Sequence, residues 1–342
     1  MALDLYARLR PLLFRLDPET AHLWTLGLLR ALGGSAAGRA LLRRLFAPPM
    51  GVPPVEALGL TFPNRLGLAA GYDKDGQSLR GLACLGFGHI EVGTVTRDPQ
   101  AGHPRPRVFR LAENQALINR MGFPSRGVAV VRRALARGRP EGVVIGVNLG
   151  KSAATPLEDA AEDYGALVEA IGPSADYLTI NVSSPNTLGL RRLQARDYLE
   201  GLLAHVGRAR GSLPGRRRPL LVKLSPDLEP AELEDALGAV LAAGVEGIVA
   251  TNTTTGRPGV DAPLASRAGG LSGRPLFLLA LNQVRRAVRW SGGRIAVVGC
   301  GGVSDRDQMQ AMLDAGASLV QVFTALIYQG PRIVPSLLGA KG

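Results

Sequence analysis

The chain has 342 residues, 46% of them hydrophobic and 20% charged, which suits one large α/β domain with a small additional piece. Its two cysteines, Cys84 and Cys300, lie far apart in the chain and cannot make a disulfide framework, so a reducing compartment is the default. The net charge of +12 comes from 40 basic residues, only four of them Lys, with no basic stripe interleaved with aromatics. It is read as solvated surface, and no nucleic-acid partner is expected. His22, His89, His103 and His205 show no paired ligand spacing, so no metal site is expected either.

Residues 1–46 are rich in Leu and Arg and carry no strand pattern. Leu5, Leu9, Leu12 and Leu16 recur at helical spacing, with Pro11 as a possible kink. Asp17-Pro18-Glu19 is a helix start, with a capping Asp, Pro in the first turn and an acid near the positive helix end. The run Ala21–Leu32 contains only His22 and Arg30 as titratable residues, and Gly33-Gly34 is expected to stop it. So narrow a polar face predicts a helix buried on both sides. No apolar stretch reaches the ~18–20 residues that span a bilayer, and no small-residue cleavage site marks a signal peptide. Two readings stay open: an interfacial helical hairpin lying on a membrane, or a cap packed on the main domain.

Pro48, Pro49, Pro53 and Pro54 mark a linker. After it, eight short apolar runs alternate with helical stretches. The expected strands are 66–70, 90–93, 143–148, 177–182, 220–224, 247–250, 295–299 and 319–323, and the clearest helices are 156–171, 199–209, 230–243, 276–288 and 304–315. Continuous apolar strands suit a parallel sheet covered on both faces, and eight β/α units predict a (β/α)₈ TIM barrel with an N-terminal helical extension. The rival, a doubly wound open sheet, would more often begin with a glycine-rich dinucleotide fingerprint, which is absent.

In a barrel the active site gathers where the strands end. The ends here carry Lys74, Thr94, Asn148, Lys151, Asn181, Ser183, Ser184, Lys223, Thr251 and Asn252. They hold no His and no paired carboxylates, which argues against triad and glycosidase chemistry. Five of the eight asparagines (Asn119, Asn148, Asn181, Asn186 and Asn252) fall at these ends or in one loop. Amides offer donor and acceptor together, as a flat heterocycle edged with C=O and N–H groups requires. The glycine clusters 269–273, placed in a loop before a helix, and 299–302 suit a phosphate cradle. Together they point to a phosphate-bearing flat cofactor such as FMN.

The strings AGYDKDG (70–76), NRMGF (119–123), NVSSPNTLGL (181–190), ATNTT (250–254), GGLSGRP (269–275) and GASLVQ (316–321) resemble dihydroorotate dehydrogenases, over nearly the whole chain. Ser184 and the extra N-terminal helices are similar to the quinone-dependent, membrane-associated class 2, since soluble members generally place Cys where Ser184 stands. The resemblance implies one FMN per chain, contacted by Ala70, Gly71, Tyr72, Asp73, Lys74, Thr94, Asn148, Asn181, Lys223, Thr251, Gly273, Gly302, Phe323 and Thr324. It implies dihydroorotate contacts from Lys74, Asn119, Arg120, Met121, Gly122, Phe123, Asn181, Asn186, Asn252 and Thr253. Lys74 would meet the substrate carboxylate, and Lys223 would favour an anionic reduced ring.

By the same resemblance Ser184 is the base that takes a proton from C5 while hydride leaves C6, although Ser183-Ser184-Pro185 also reads as a plain turn and no His or Asp stands beside it. His22 and Arg110 would line a quinone tunnel; read alone, they are a helix-surface histidine and a loop salt bridge. Phe323 departs from the Tyr often found in the family and leaves a quinone without that hydroxyl. The resemblance also implies a division into residues 1–46, for membrane and quinone access, and 47–342, an FMN-binding barrel. It implies peripheral association with the cytoplasmic face of the cell (inner) membrane, and a place in pyrimidine (UMP) synthesis. The alternatives are a related FMN barrel using fumarate or NAD, and a non-catalytic membrane or nucleic-acid-binding barrel.

Overall fold

The structure is a computed structural model, and it describes residues 5–46, 48–49, 51–261 and 264–339. Lys341 lies outside the described residues. Eight parallel strands close into a barrel in chain order: β1 (Leu66–Leu68), β2 (His89–Val95), β3 (Val144–Leu149), β4 (Tyr177–Asn181), β5 (Leu220–Leu224), β6 (Gly247–Ala250), β7 (Ala296–Cys300) and β8 (Leu319–Val322). Each expected strand is present, within one or two residues at its ends. Helices follow the strands, including Ala160–Ile171, Arg196–Gly211, Pro230–Ala242, Phe277–Ser291 and Arg306–Asp314.

The continuous apolar runs are explained by burial on both faces. Outward side chains such as Leu68, Ile90, Val147, Ile180, Val222 and Val320 join the core under the helices. Inward ones such as Leu221, Val249, Val298 and Leu319 fill the barrel. A hairpin, Val55–Ala57 with Leu60–Phe62, contributes Leu60 and Phe62 to that same interior. Large rings need space there. A Cβ on Gly67 would collide with the His89 ring, and one on Gly146 with the Tyr177 ring.

Two expectations are corrected. The 269–273 cluster is not a loop: Gly270–Gly273 is a strand, paired antiparallel with Ala116–Asn119, which pairs in turn with Val108–Leu111. This small sheet lies outside the barrel sheet. The other correction concerns the helix after Asp17, which does not bury both sides.

The N-terminal region forms α1 (Leu5–Leu13, with Pro11 inside it), α2 (Pro18–Gly34) and α3 (Ala36–Phe46). Asp17 caps α2 through its carboxylate, which accepts from the Glu19 and Thr20 amides at 3.1 and 3.0 Å. The helix runs through Gly33-Gly34 and ends at Ser35. Ala21, Leu29 and Gly33 face the barrel, while Leu23, Trp24 and Leu28 stand exposed, Trp24 by 65%. One face at i, i+4 spacing packs and the opposite face is left in the open.

The packing is backbone against backbone. A Cβ on Gly33 would collide with the Gly81 amide, and one on Gly81 with the Leu29 carbonyl. Gly33→Ala should therefore lose more through overpacking, roughly 1–3 kcal/mol, than the ~1 kcal/mol it gains in helix propensity. Thermal unfolding should show a net destabilisation, with early protease cleavage between α2 and α3.

Candidate active site

The carboxyl ends of the strands open into a cavity of about 890 Å³ that reaches out to α1, α2 and α3. Most of the residues singled out by sequence line it. Ala70, Gly71, Tyr72 and Lys74 enter from the loop after β1, and Thr94 from β2. Asn181 and Lys223 come from the ends of β4 and β5, Ser184 and Asn186 from the loop after β4, and Thr251, Asn252 and Thr253 from beyond β6. Asn119, Met121, Gly122 and Phe123 reach in from the small sheet and its following loop, and His22 and Arg110 line the outer part.

Three of the named residues do not line the cavity. The Asp73 carboxylate accepts from the Gln77 and Ser78 amides at 3.0 and 2.7 Å and so folds its own loop. Asn148 is fully buried, and its side chain accepts from the cavity-lining Thr94 and Asn181. Arg120 is exposed, and its guanidinium donates to the Pro106 carbonyl. Lys151 is also elsewhere: its ammonium donates to the Ser152 and Thr155 carbonyls, which keeps residues 152–155 in a loop and delays the next helix to Ala160.

The floor is a ladder of amides and hydroxyls. Asn252 Nδ2 donates to Asn181 Oδ1 at 3.3 Å and to Ser183 Oγ at 3.0 Å. Asn181 Nδ2 donates to Asn148 Oδ1 at 3.0 Å, which also accepts from Thr94 Oγ1 at 2.7 Å. Asn148 Nδ2 in turn donates to Glu91 Oε1 at 2.8 Å. Glu91 is fully enclosed, and its Oε2 accepts from Tyr177, Thr179 and Gln321 at 3.1, 3.2 and 2.9 Å. The sequence reading passed over Glu91; the signal was a lone carboxylate inside the apolar run His89–Val95.

The lysines differ. Lys74 Nζ donates to the Gly71 carbonyl at 2.8 Å. Burial first, with Arg107 adding, pushes its pKa down to about 8 against the opposing carboxylates of Glu19, Asp75 and Asp73. Lys223 is buried on the cavity wall, and its ammonium has no hydrogen-bond or ion-pair partner among the described residues. Such a cation needs an anion or an acceptor from a ligand.

Ser272 Oγ and Thr324 Oγ1 lie 2.9 Å apart, and Gly301 and Gly302 line the same cavity. Gly302 has φ +73°, and a Cβ on it would collide with the Phe277 amide, so the turn requires glycine. Phe123 has φ +52° on a bulky residue, a strained conformation held beside the floor. Ser184 Oγ accepts from the Asn186 amide at 3.2 Å and has no titratable hydrogen-bond partner among the described residues.

Arg191 staples three loops. Its guanidinium donates to the Ser183 carbonyl, Asp227 and the Thr253 carbonyl at 3.2, 2.8 and 3.2 Å. Burial pushes Asp227 up, but hydrogen bonds from Thr254 and Thr255 and the Arg191 cation outweigh it and leave the carboxyl below its ordinary range. Toward α2 the rings of His22 and Tyr72 meet edge to face at 4.9 Å, and those of Tyr72 and Phe323 at 5.8 Å. Burial, then the Lys74 charge, pushes His22 down to about 4, so its imidazole is neutral at pH 7. Arg110 donates to the Phe14 and Leu16 carbonyls at 2.9 and 3.0 Å, fixing the α1–α2 turn.

A (β/α)₈ barrel whose strand ends surround a deep cavity, floored by amides and lined by a buried lysine without a partner among the described residues, is an enzyme scaffold with its site in the usual place. The sequence profile of the dihydroorotate dehydrogenase family matches residues 54–339. The chain is 51% identical to the dihydroorotate dehydrogenase (quinone) of Anaeromyxobacter sp. (strain Fw109-5), over 97% of this chain and 91% of that one. It is 46% identical to the enzyme of the same name from Chromobacterium violaceum, over 96% and 95%. Among solved structures it superposes on ligand-free DHODH of Eimeria tenella with a TM-score of 0.85 at 36% identity, over 94% of this chain and 93% of that one. The complex of that protein with ferulenol gives a TM-score of 0.84 at 35% identity, over 94% and 90%. The chain belongs to the dihydroorotate dehydrogenase family, in its quinone-dependent class 2, and is an oxidoreductase.

Glu91 should be as important to the barrel as to the site. Glu91→Ala strands four buried donors, each costing ~1–3 kcal/mol when unpaired, so the melting temperature should fall sharply. Glu91→Gln, which keeps one acceptor oxygen, should lose less.

Proposed function

We propose that this chain oxidises (S)-dihydroorotate to orotate and delivers the electrons to a membrane quinone, with one FMN per chain, in de novo pyrimidine (UMP) synthesis. The observation that carries the cofactor is Lys223, a buried cation on the cavity wall without a partner among the described residues. The donor set fits FMN. The hydroxyls of Ser272 and Thr324 and the backbone of Gly301–Gly302 suit its phosphate, and Lys223 suits the electron-rich edge of its ring. Ala70, Gly71, Thr94, Asn181, Thr251, Gly273 and Phe323 line the space between. When bound, FMN supplies the two-electron relay between dihydroorotate and quinone that no side chain provides.

The chain's own residues account for the rest. Protonated Lys74 holds the substrate carboxylate, and Asn119, Asn186, Asn252 and Thr253 read the ring's C=O and N–H edge. Ser184 takes the C5 proton. Its own hydroxyl proton leaves through water to solvent, since no titratable group among the described residues bonds to it, and Lys74 and Lys223 place two positive charges on the same cavity, a field that favours the serine oxyanion formed on the way. Phe123 and Met121 exclude water from that end.

Residues 1–46 form the quinone entrance and the membrane contact, and 47–342 the catalytic barrel. Leu9, Trp24, Leu28, Leu41 and Leu45 are exposed and also line the cavity, so they frame its mouth. Leu12 and Leu23 extend the apolar surface, which suits a helical hairpin lying in a bilayer interface. No helix among the described residues is long and apolar enough to cross a membrane. We propose that this apolar surface binds peripherally, on the cytoplasmic face of the cell membrane. This greasy mouth favours a quinone over fumarate or NAD as acceptor.

Anaerobic absorbance spectroscopy tests the reaction. The purified protein should show a flavin band that dihydroorotate bleaches and a soluble quinone restores. Ser184→Ala should keep the band but bleach at least ~100-fold more slowly. A flavin band indifferent to dihydroorotate would overturn the substrate assignment. The membrane assignment has its own check. Leu23→Ser/Trp24→Ser should weaken binding to phospholipid vesicles and slow turnover with a long-chain quinone, while bleaching by dihydroorotate keeps its wild-type rate.

A further inference from the structure

The first turn of α2 carries a buried charge that neither proposed half-reaction uses. The Glu19 carboxylate accepts from Arg107 Nη2 at 2.6 Å, Arg107 Nε at 3.1 Å and Arg105 Nη2 at 3.0 Å. Glu19 and Arg107 are both buried, with relative exposures of 9% and 7%. Burial alone would push the Glu19 carboxyl up, yet the two guanidinium groups hold it below its ordinary range. A buried ion pair repays little of its desolvation cost as stability, so its value lies in the geometry it enforces.

That geometry can be followed to Ser184. The other arm of Arg107, Nη1, donates to the Ala101 and His103 carbonyls at 2.6 and 2.9 Å, fixing the loop between them. His103 is tied by its amide to the Met121 carbonyl at 2.9 Å. Its ring Nε2 meets the Asn186 carbonyl at 2.8 Å, where only a protonated nitrogen can serve as donor. The same Asn186 is held at two further points: its amide donates to Ser184 Oγ at 3.2 Å, and its side chain to the Asn119 carbonyl at 3.1 Å. An unbroken chain of polar contacts thus runs from the quinone-side helix to the serine of the dihydroorotate side.

We propose that Glu19, Arg107 and His103 are positioning residues that couple the seating of α2 to the placement of Ser184, so that the helix at the quinone entrance sets the rate of the dihydroorotate half-reaction. This rests on the reading of Ser184 as the base. A serine without a titratable partner depends on placement more than a histidine-assisted one would. A displacement of about 1 Å at the reacting groups costs on the order of 100-fold in rate.

The experiment is stopped-flow flavin bleaching by dihydroorotate, followed by reoxidation with a soluble quinone, on the full-length FMN-loaded protein. The variants are Glu19→Gln, His103→Ala, His103→Gln and the Glu19→Gln/His103→Ala pair. His103 is exposed, so its variants remain usable even where Glu19→Gln folds poorly. Glu19→Gln and His103→Ala should each slow bleaching roughly 10- to 100-fold, and His103→Ala, which lies away from the quinone entrance, should leave reoxidation unchanged. The pair should be no slower than the worse single variant, because both break one path. His103→Gln, whose amide can still donate to the Asn186 carbonyl, should recover much of the rate. Wild-type bleaching in either single variant, or a pair slowed by the product of the two, would overturn the coupling. Wild-type protein that dihydroorotate fails to bleach would instead overturn the assigned substrate.

Discussion

A carboxylate at the centre of a closed barrel must collect every donor within reach, and the rest of this structure is arranged around Glu91 doing so. Tyr177, Thr179, Gln321 and Asn148 donate to it from β3, β4 and β8, with Glu91 itself on β2. The requirement passes upward. Asn148, committed to Glu91 through its amide, offers its oxygen to Thr94 and Asn181, and Asn181 then engages Asn252 and Ser183. The cavity floor is therefore ordered before any ligand arrives. Catalysis by placement depends on that ordering, because groups already fixed need no reorganisation during the reaction.

The same economy explains the N-terminal helices. α2 reaches the barrel through glycine faces at Gly33 and Gly81, which leave no room for a side chain between the backbones. It is held at its start by the Glu19–Arg107 pair and carries His22 against Tyr72. One helix face is thus spent on docking, and the opposite face keeps Leu23, Trp24 and Leu28 in the open. A helix with apolar residues around most of its circumference has two apolar surfaces to satisfy. The barrel satisfies one and, on the reading above, a membrane the other.

The barrel was legible because parallel strands covered on both faces must be apolar throughout, and eight such runs alternate with helical stretches. The site was legible in part because polar residues at strand ends interrupt that pattern. Asn181, Lys223, Thr251 and Asn252 stand out against the runs they follow. Arg107 and Arg191 do not stand out, since two arginines among 36 carry no local mark. Glu91 was visible as an exception within a strand, but the donors that make it tolerable come from three other strands.

Local sequence determined the elements, their order and the chemistry available at the rim, because strand period, helix caps and turn residues act over a few positions. Tertiary structure decided which donors meet which acceptors. Gly270–Gly273 pairs with Ala116–Asn119 about 150 residues away, so the segment read as a glycine-rich loop becomes a strand only when its partner is present. It likewise separated Lys223, open to a ligand, from Lys151, spent on its own loop. Lys151 finds its acceptors at Ser152 and Thr155 in its own loop, whereas barrel closure leaves the Lys223 ammonium on the cavity wall with no partner among the described residues.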